Sequence, residues 1–334
     1  MKFKGVIDSH VHIGAGEPPI DGFIKRGLNI KSLTALSRKT GVAFVPKMHF
    51  GGLIEPVVKE GKILIFPSLT FNSETDGFSQ SLVYEAAQKV RPARLCVFFP
   101  SLEAETHLTN IDKPWFSIFQ PLKEAPIEQK EKFANYQKIY KQKKGIKVLD
   151  KNGSLLPEVK KVIKAVQETG SFLHTSHLGE QEIKKVLKEA VNRKTEAVVT
   201  HANARANNIK LETLAALVKL APEKGARICI EFCAANWIVG LRGAYDLQKN
   251  FVVWIQTLKV ENCILSSDAN GLEPNRENEK TNAFTIPQKI PLKTPLDWLE
   301  YFVNLLMGKG ITPAEVHQMI VENPNRLLNL KPEC

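Results

Sequence analysis

The chain has no C-x-x-C pair, no G-x-G-x-x-G segment and no apolar run of the roughly eighteen residues that a membrane-spanning helix requires. Each absence removes a class of protein. Without long apolar runs, no membrane partner is expected. Without the glycine-rich turn after the first strand, a dinucleotide-binding fold loses its main signature. The five cysteines (Cys96, Cys229, Cys233, Cys263 and Cys334) are odd in number and scattered, as reduced thiols of a cytoplasmic protein would be. Cys229 and Cys233 repeat one face of the β-like stretch ARICIEFCA, where simple burial accounts for both. Asp8 interrupts the N-terminus before the apolar core of a secretory signal could form, and the terminal KPEC does not fit a prenylation box.

Acidic charge is also in short supply. Against 46 lysines and arginines stand 35 acidic residues, a formal net charge of +11. An anionic partner would suit that excess. However, the basic residues mix with acidic ones around apolar stripes, as in EQEIKKVLKEAVNRK and PEVKKVIKAVQE. Such segments read as solvated helix faces. The densest run, YKQKKGIK, lacks the interleaved aromatics of a base-stacking surface. A small-molecule substrate is therefore expected, with no nucleic-acid partner; a homo-oligomer is compatible with the composition.

Short β-branched or apolar runs alternate with amphipathic ones along the whole length. Eight strand signals stand out: KFKGVIDSH, GVAFVPKMHF, KILIFPSLT, ARLCVFFPS, SFLHTSH, EAVVTHA, ARICIEF and NCILSSDAN. A helix is expected after each, including a short one through IEPVVKEG and one over about residues 243–259. Repeated βα units with near-continuously apolar strands predict a parallel sheet covered by helices. Eight units in a chain of this length predict a (β/α)8 barrel forming one domain over residues 1–334. Residues 108–150 break the rhythm with aromatics, prolines and one amphipathic segment. They predict an insertion after the fourth strand, a lid over the active site.

In such barrels the chemistry gathers at the C-terminal ends of the strands. Six of the eight histidines fall at or just past a predicted strand end: His10, His12, His49, His107, His177 and His201. His174 lies within the fifth strand and His317 in a helix. His10 and His12 are two apart, which puts both on one face of a regular strand. Asp268 adds a carboxylate at the eighth strand. Imidazoles and a carboxylate converging at one mouth suit a divalent cation, zinc first, with manganese or iron as alternatives, and one or two ions.

DSHVHIG on the first strand, histidines on the fifth and sixth, SSDANG on the eighth and the closing ENPNRLLNL together resemble the amidohydrolase superfamily of metal-dependent barrel hydrolases. The K-x-H-F sequence of PKMHFGG and the fourth-strand FPSLEAETHL resemble a small branch of it. The resemblance implies that His10, His12, His177, His201 and Asp268 hold metal. His177 is favoured over His174, since it sits at the strand end with Gly179 near for a turn; His174 then becomes a buried, hydrogen-bonded residue. Asp268 would also move the proton of the attacking water. His49 and His107 fall to substrate or metal contact, and Asp8 to a supporting role. The fourth strand lacks the lysine that bridges two metals in many members. Lys47, on the second strand, is then a carbamate bridge, a cation for an anionic substrate, or a rim residue without a role. Glu103 and Glu105 are further candidates for the bridge.

The chemistry implied is hydrolysis of an amide, lactone or other ester. Alternatives are a phosphoesterase or nuclease on a related barrel, a decarboxylase, and a barrel that binds metal or ligand without turnover. The E-x-G-x-D motif of metal-dependent DNases is absent from the fourth strand.

Overall fold

The structure is a computed structural model that describes residues 5–110, 125–202, 204, 207–235, 251–269 and 293–329. Two sheets carry the architecture. The first has strand order β1-β4-β7-β6, with β1 at Ile7–His12, β4 at Ala43–Lys47, β6 at Val57–Lys59 and β7 at Lys62–Ile65. The second runs β13-β12-β11-β10-β9-β8-β5. Its members are β5 (Leu53–Ile54), β8 (Ser68–Thr70), β9 (Cys96–Phe98), β10 (Phe172–His174), β11 (Ala197–Val199), β12 (Ile228–Cys233) and β13 (Cys263–Ser266). A small antiparallel pair, β2 (Ile20–Asp21) with β3 (Ile24–Lys25), stands apart. Each of the eight predicted strand segments contains a strand, and the neighbours among them pair parallel.

The two sheets meet on both sides: β7 runs on into β8 through Phe66 and Pro67, and backbone hydrogen bonds join the ends of β1 and β13. Between β7 and β8, Phe66 N donates to Phe44 O at 2.8 Å while Pro67 O accepts from Cys96 N at 3.1 Å. At the other side, Asp268 N donates to His10 O at 2.8 Å and His12 N to Ala269 O at 3.0 Å. The result is a mixed α/β fold with parallel strands faced by helices.

The strands separate two apolar layers by their period of two. Val97, Leu173, Val199, Ile230 and Leu265 pack against the helices. The opposite face carries Ile7, Val45, Phe66, Phe98, Phe172, Val198, Cys229 and Ile264, with Leu327 and Leu328 from the last helical turn packed onto it. In β1 the register slips between Asp8 and Val11. Three residues of β1 there oppose two of β4, so the alternation inverts: Ile7 faces the inner layer, yet Val11 faces the helices. A bulge of this kind re-aims side chains beside a site. Here it turns His10 and His12 to the inner face.

Helix boundaries follow local chemistry. Helix α1 (Ile30–Thr40) starts at Asn29, whose side chain and Ser32 cap each other reciprocally, and ends at Gly41 in the left-handed region. Helices α2 (Gln80–Lys89), α3 (Glu105–Asn110), α4 (Ile127–Gln142), α5 (Pro157–Glu168), α6 (Glu180–Asn192), α7 (Leu211–Glu223), α8 (Phe251–Leu258) and α9 (Pro295–Met307) follow. The last begins with a Thr294–Asp297 capping box and Pro295 in its first turn. Among the described residues no helix is long and apolar enough to cross a membrane.

One expectation fails. The stretch IEPVVKEG is not a helix: β6 turns back into β7 through Glu60 and Gly61, both at positive φ (52° and 76°). Pro56 leaves too few residues for a helix, and a two-residue loop with both central φ positive matches the twist of a hairpin. Of the helix expected over 243–259, Phe251–Leu258 is helical, and 243–250 lie outside the described residues, as does Cys334. Of the 108–150 segment, residues 111–124 lie outside the described residues; helix α4 within it anchors through Tyr136, whose hydroxyl donates to Leu102 O at 3.2 Å and whose ring meets Phe23 and Phe50. It therefore packs on the loop that carries His49.

That loop is fixed by a buried carboxylate. Asp21 accepts from His49 N and Phe50 N at 2.9 Å each and from Arg26 Nη2 at 2.7 Å. Asp21→Ala removes the carboxylate of a fully buried ion pair together with two backbone acceptors. A loss of about 3–5 kcal/mol is expected from the ion pair, read as a lower denaturant midpoint with an unchanged slope.

Candidate metal centre

The ends of the strands bring the histidines together. Around Asp268 stand His10 Nε2, 3.6 Å from Oδ1; His12 Nε2, 3.1 Å from Oδ1; and His201 Nδ1, 3.5 Å from Oδ2. Ring centroids trace a closed circuit: His10 to His12 at 5.0 Å, His12 to His49 at 4.2 Å, His49 to His177 at 6.0 Å, His177 to His201 at 5.2 Å and His201 to His10 at 5.0 Å. His107, on α3, stacks on His177 with their Nδ1 atoms 2.9 Å apart. All six are buried. His317 is exposed at the end of a short helix, beside Glu322.

Neutrality is what makes such crowding tolerable. Burial holds the histidines below their ordinary range, His107 and His174 down to about 3, with neighbouring positive groups adding to the effect. Burial pushes the Asp268 carboxyl well up, and Asp8 up to about 7. Asp8 accepts from Ser267 N at 2.9 Å and from His10 N at 3.4 Å, so it braces the backbone where the first and last strands meet.

The donor set fits a divalent cation. Two ligands bonded at about 2.0–2.1 Å to a tetrahedral ion stand about 3.3 Å apart, close to the three separations around Asp268. His10 Nε2 and Asp268 Oδ1 are buried without a hydrogen-bond partner. Orphaned buried polar atoms are rare and call for a reason. The ligand atoms of His10, His12 and Asp268 lie within 4.8 Å of one another, and a second such group joins His10 and His201 with Cys233. His177 belongs to the circuit but to neither compact group. His174 sits against Phe98 and Phe172, its Nδ1 3.2 Å from Thr200 Oγ1.

Ser176, His201 and Asp268 have φ of 49°, 51° and 47°. Three non-glycine residues in the left-handed region, each just past a strand end, mark strain held at the site. Gly179 is different. It caps α6 with φ −80°, and a Cβ there would meet Thr106 Cγ2 at 2.3 Å. The expected turn role is thus replaced by close approach of α6 to the His107 helix.

Lys47 is fully buried on the inner face, two residues after Val45. Its Nζ donates to Ser176 Oγ at 3.1 Å and stands 4.8 Å over the Phe98 ring. Burial lowers its pKa to about 8 against the pull of Asp268 and Glu231. It is not a rim residue. Glu103 gives both carboxylate oxygens to Ser73, at 2.6 and 2.7 Å, and Glu105 faces Lys147 at 3.4 Å. Neither joins a donor group with the histidines among the described residues, so the fourth strand offers no bridging carboxylate there. The Ser73 hydroxyl and amide already satisfy the Glu103 carboxylate.

Glu231 escaped the sequence reading. Its Oε2 is 3.3 Å from His10 Nδ1, and its Oε1 accepts from Ser9 Oγ at 3.4 Å. With His10 Nδ1 so engaged, Nε2 is the nitrogen turned to the donors, an arrangement that fixes tautomer and ring orientation. The signal was present: period two sets Glu231 on the same face as Cys229 and Cys233, and a lone carboxylate in an apolar strand rarely lacks a partner.

The fold is one seen in solved hydrolases. The chain is similar to a variant of organophosphorus hydrolase from Deinococcus radiodurans, at 14% identity and a TM-score of 0.51, covering 98% of this chain and 94% of that one. A PTE-like lactonase variant from the same organism gives 14% identity and 0.51, covering 98% and 96%. The inactive dihydroorotase-like domain of the Chaetomium thermophilum CAD-like multifunctional protein gives 12% and 0.52, covering 99% and 80%. No curated protein matches the sequence. Residues 5–222 match a family of unknown function, DUF6282, and the chain belongs to it. That span takes in every histidine of the circuit and stops short of Glu231, Cys233 and Asp268.

A pH dependence follows. A histidine held below 6.5 in the folded state stays neutral there while the unfolded chain takes up protons, so each lowers stability as pH falls from about 6.5 toward 3, by up to about 1.4 kcal/mol per pH unit. The raised Asp8 and Asp268 act oppositely, yet seven lowered histidines outnumber them. Chelator-treated protein is expected to show a lower urea midpoint at pH 5 than at pH 7.5.

Proposed function

We propose that the chain is a metal-dependent hydrolase of the amidohydrolase superfamily, a single closed (β/α)8 barrel over residues 1–334, acting on an amide, lactone or other ester of a small molecule. The observation that carries this reading is the meeting of His10, His12 and His201 around one carboxylate, Asp268, with His10 Nε2 and Asp268 Oδ1 buried and without hydrogen bonds. The run of β7 into β8 and the hydrogen bonds that join the sheets at His10 support closure. The hydrolase folds named above support the class.

In this reading His10, His12, His201 and Asp268 hold the cation, zinc first, and His177 borders it. When bound, a divalent cation lowers the pKa of water and polarises the scissile bond. The protein does the rest. Asp268 takes a proton from the attacking water and returns it to the leaving group. Lys47, positive below a pKa of about 8, faces negative charge that develops on substrate oxygen, and Ser176 holds its ammonium in place. His49 and His107 contact substrate from the mouth. The 108–150 segment, anchored beside His49 through Tyr136, serves as the lid.

The decisive measurement is elemental analysis of protein purified without chelator, followed by a panel of lactones, esters and amides. Sub-stoichiometric metal and a silent panel would end the proposal. His12→Ala is expected to bring bound metal to background. Asp268→Asn is expected to keep the fold, by circular dichroism, and to lose at least ~100-fold in kcat.

A further inference from the structure

Strand β12 places a sulfur at the same centre. Cys229, Glu231 and Cys233 alternate onto the inner face, and all three are buried. Cys229 packs in the apolar layer with Ile7, Phe172 and Val198. Cys233 lies four residues further along, at the strand's C-terminal end, where its Sγ and the ring nitrogens of His10 and His201 fall within 4.8 Å of one another. Burial and the nearby Glu231 and Asp268 hold the Cys233 thiol well above its ordinary range, and Ser266 Oγ, which donates to Sγ at 3.2 Å, works against that. His10 Nδ1 is turned to Glu231, and its Nε2 is buried without a hydrogen-bond partner.

We propose that Cys233 is a thiolate ligand of the metal centre, acting with His10 and His201. The assignment rests on the metal-centre reading above and adds a soft donor to a set otherwise made of nitrogen and oxygen. Thiolate ligation favours zinc and cobalt over manganese and magnesium, which prefer oxygen. Coordination needs the deprotonated sulfur, so the thiol proton leaves to solvent as the cation enters.

The test uses the full chain, stripped of metal and titrated with cobalt(II), with the near-ultraviolet sulfur-to-cobalt charge-transfer absorption as readout. Wild type is expected to bind cobalt and show the band. Cys229→Ser, which alters the packed cysteine of the same strand, is expected to keep it. Cys233→Ser and Cys233→Ala are expected to retain cobalt by elemental analysis while losing the band. Cobalt bound by wild type without the band, or a band surviving in folded Cys233→Ser, overturns the cysteine assignment and leaves the metal centre standing. Failure of wild type to bind cobalt or zinc at all overturns both. A wild-type spectrum without the band overturns the assignment even if neither Cys233 variant folds.

Discussion

The junction of the first and last strands is the constraint on which the rest depends. Asp268 N donates to His10 O, and His12 N to Ala269 O, at the very positions whose side chains converge. The same few residues therefore hold the two sheets together and set the separations between imidazole and carboxylate. Backbone hydrogen bonds have narrow geometry, so the donors inherit a spacing that flexible loops could not keep. Asp8, inserted between His10 N and Ser267 N, locks that junction from within.

Such a cluster is expensive to bury. Desolvation keeps the imidazoles neutral and works against ionised carboxylates, which leaves polar atoms with little to bond. Three residues at the strand ends hold left-handed backbone at the same place. Both costs are tolerated because the surroundings are over-determined: an apolar layer of one or two residues per strand lies beneath, and helices cover the other face. Local frustration in an otherwise consistent fold is the pattern expected where function, not packing, sets the residue.

Much of this was legible in the linear pattern. The eight strand segments announced themselves by apolar β-branched runs. Six of the eight histidines fell at or just past a predicted strand end, and that placement pointed to the strand ends as the candidate site. Three features were harder. The hairpin at Glu60–Gly61 reads as a short helix when valines and a glutamate are counted without the effect of Pro56 and two positive φ values. Glu103 resembles a bridging carboxylate until Ser73 is seen to satisfy it. Glu231 and Cys233 were hidden in an apolar strand, since burial alone explains a cysteine.

The sequence by itself determined the order of the eight parallel strand segments, the inward or outward face of each strand residue where alternation is unbroken, and the histidines and Asp268 as candidate ligands. These depend on local periodicity and side-chain chemistry. Only the tertiary structure decided that His10 rather than Val11 faces inward, that Lys47 is buried against Ser176, and that donors from β1, β11, β12 and β13 share one centre. A bulge, a long-range pairing and a convergence of donor atoms are relations between segments far apart in the chain, and no single segment contains them.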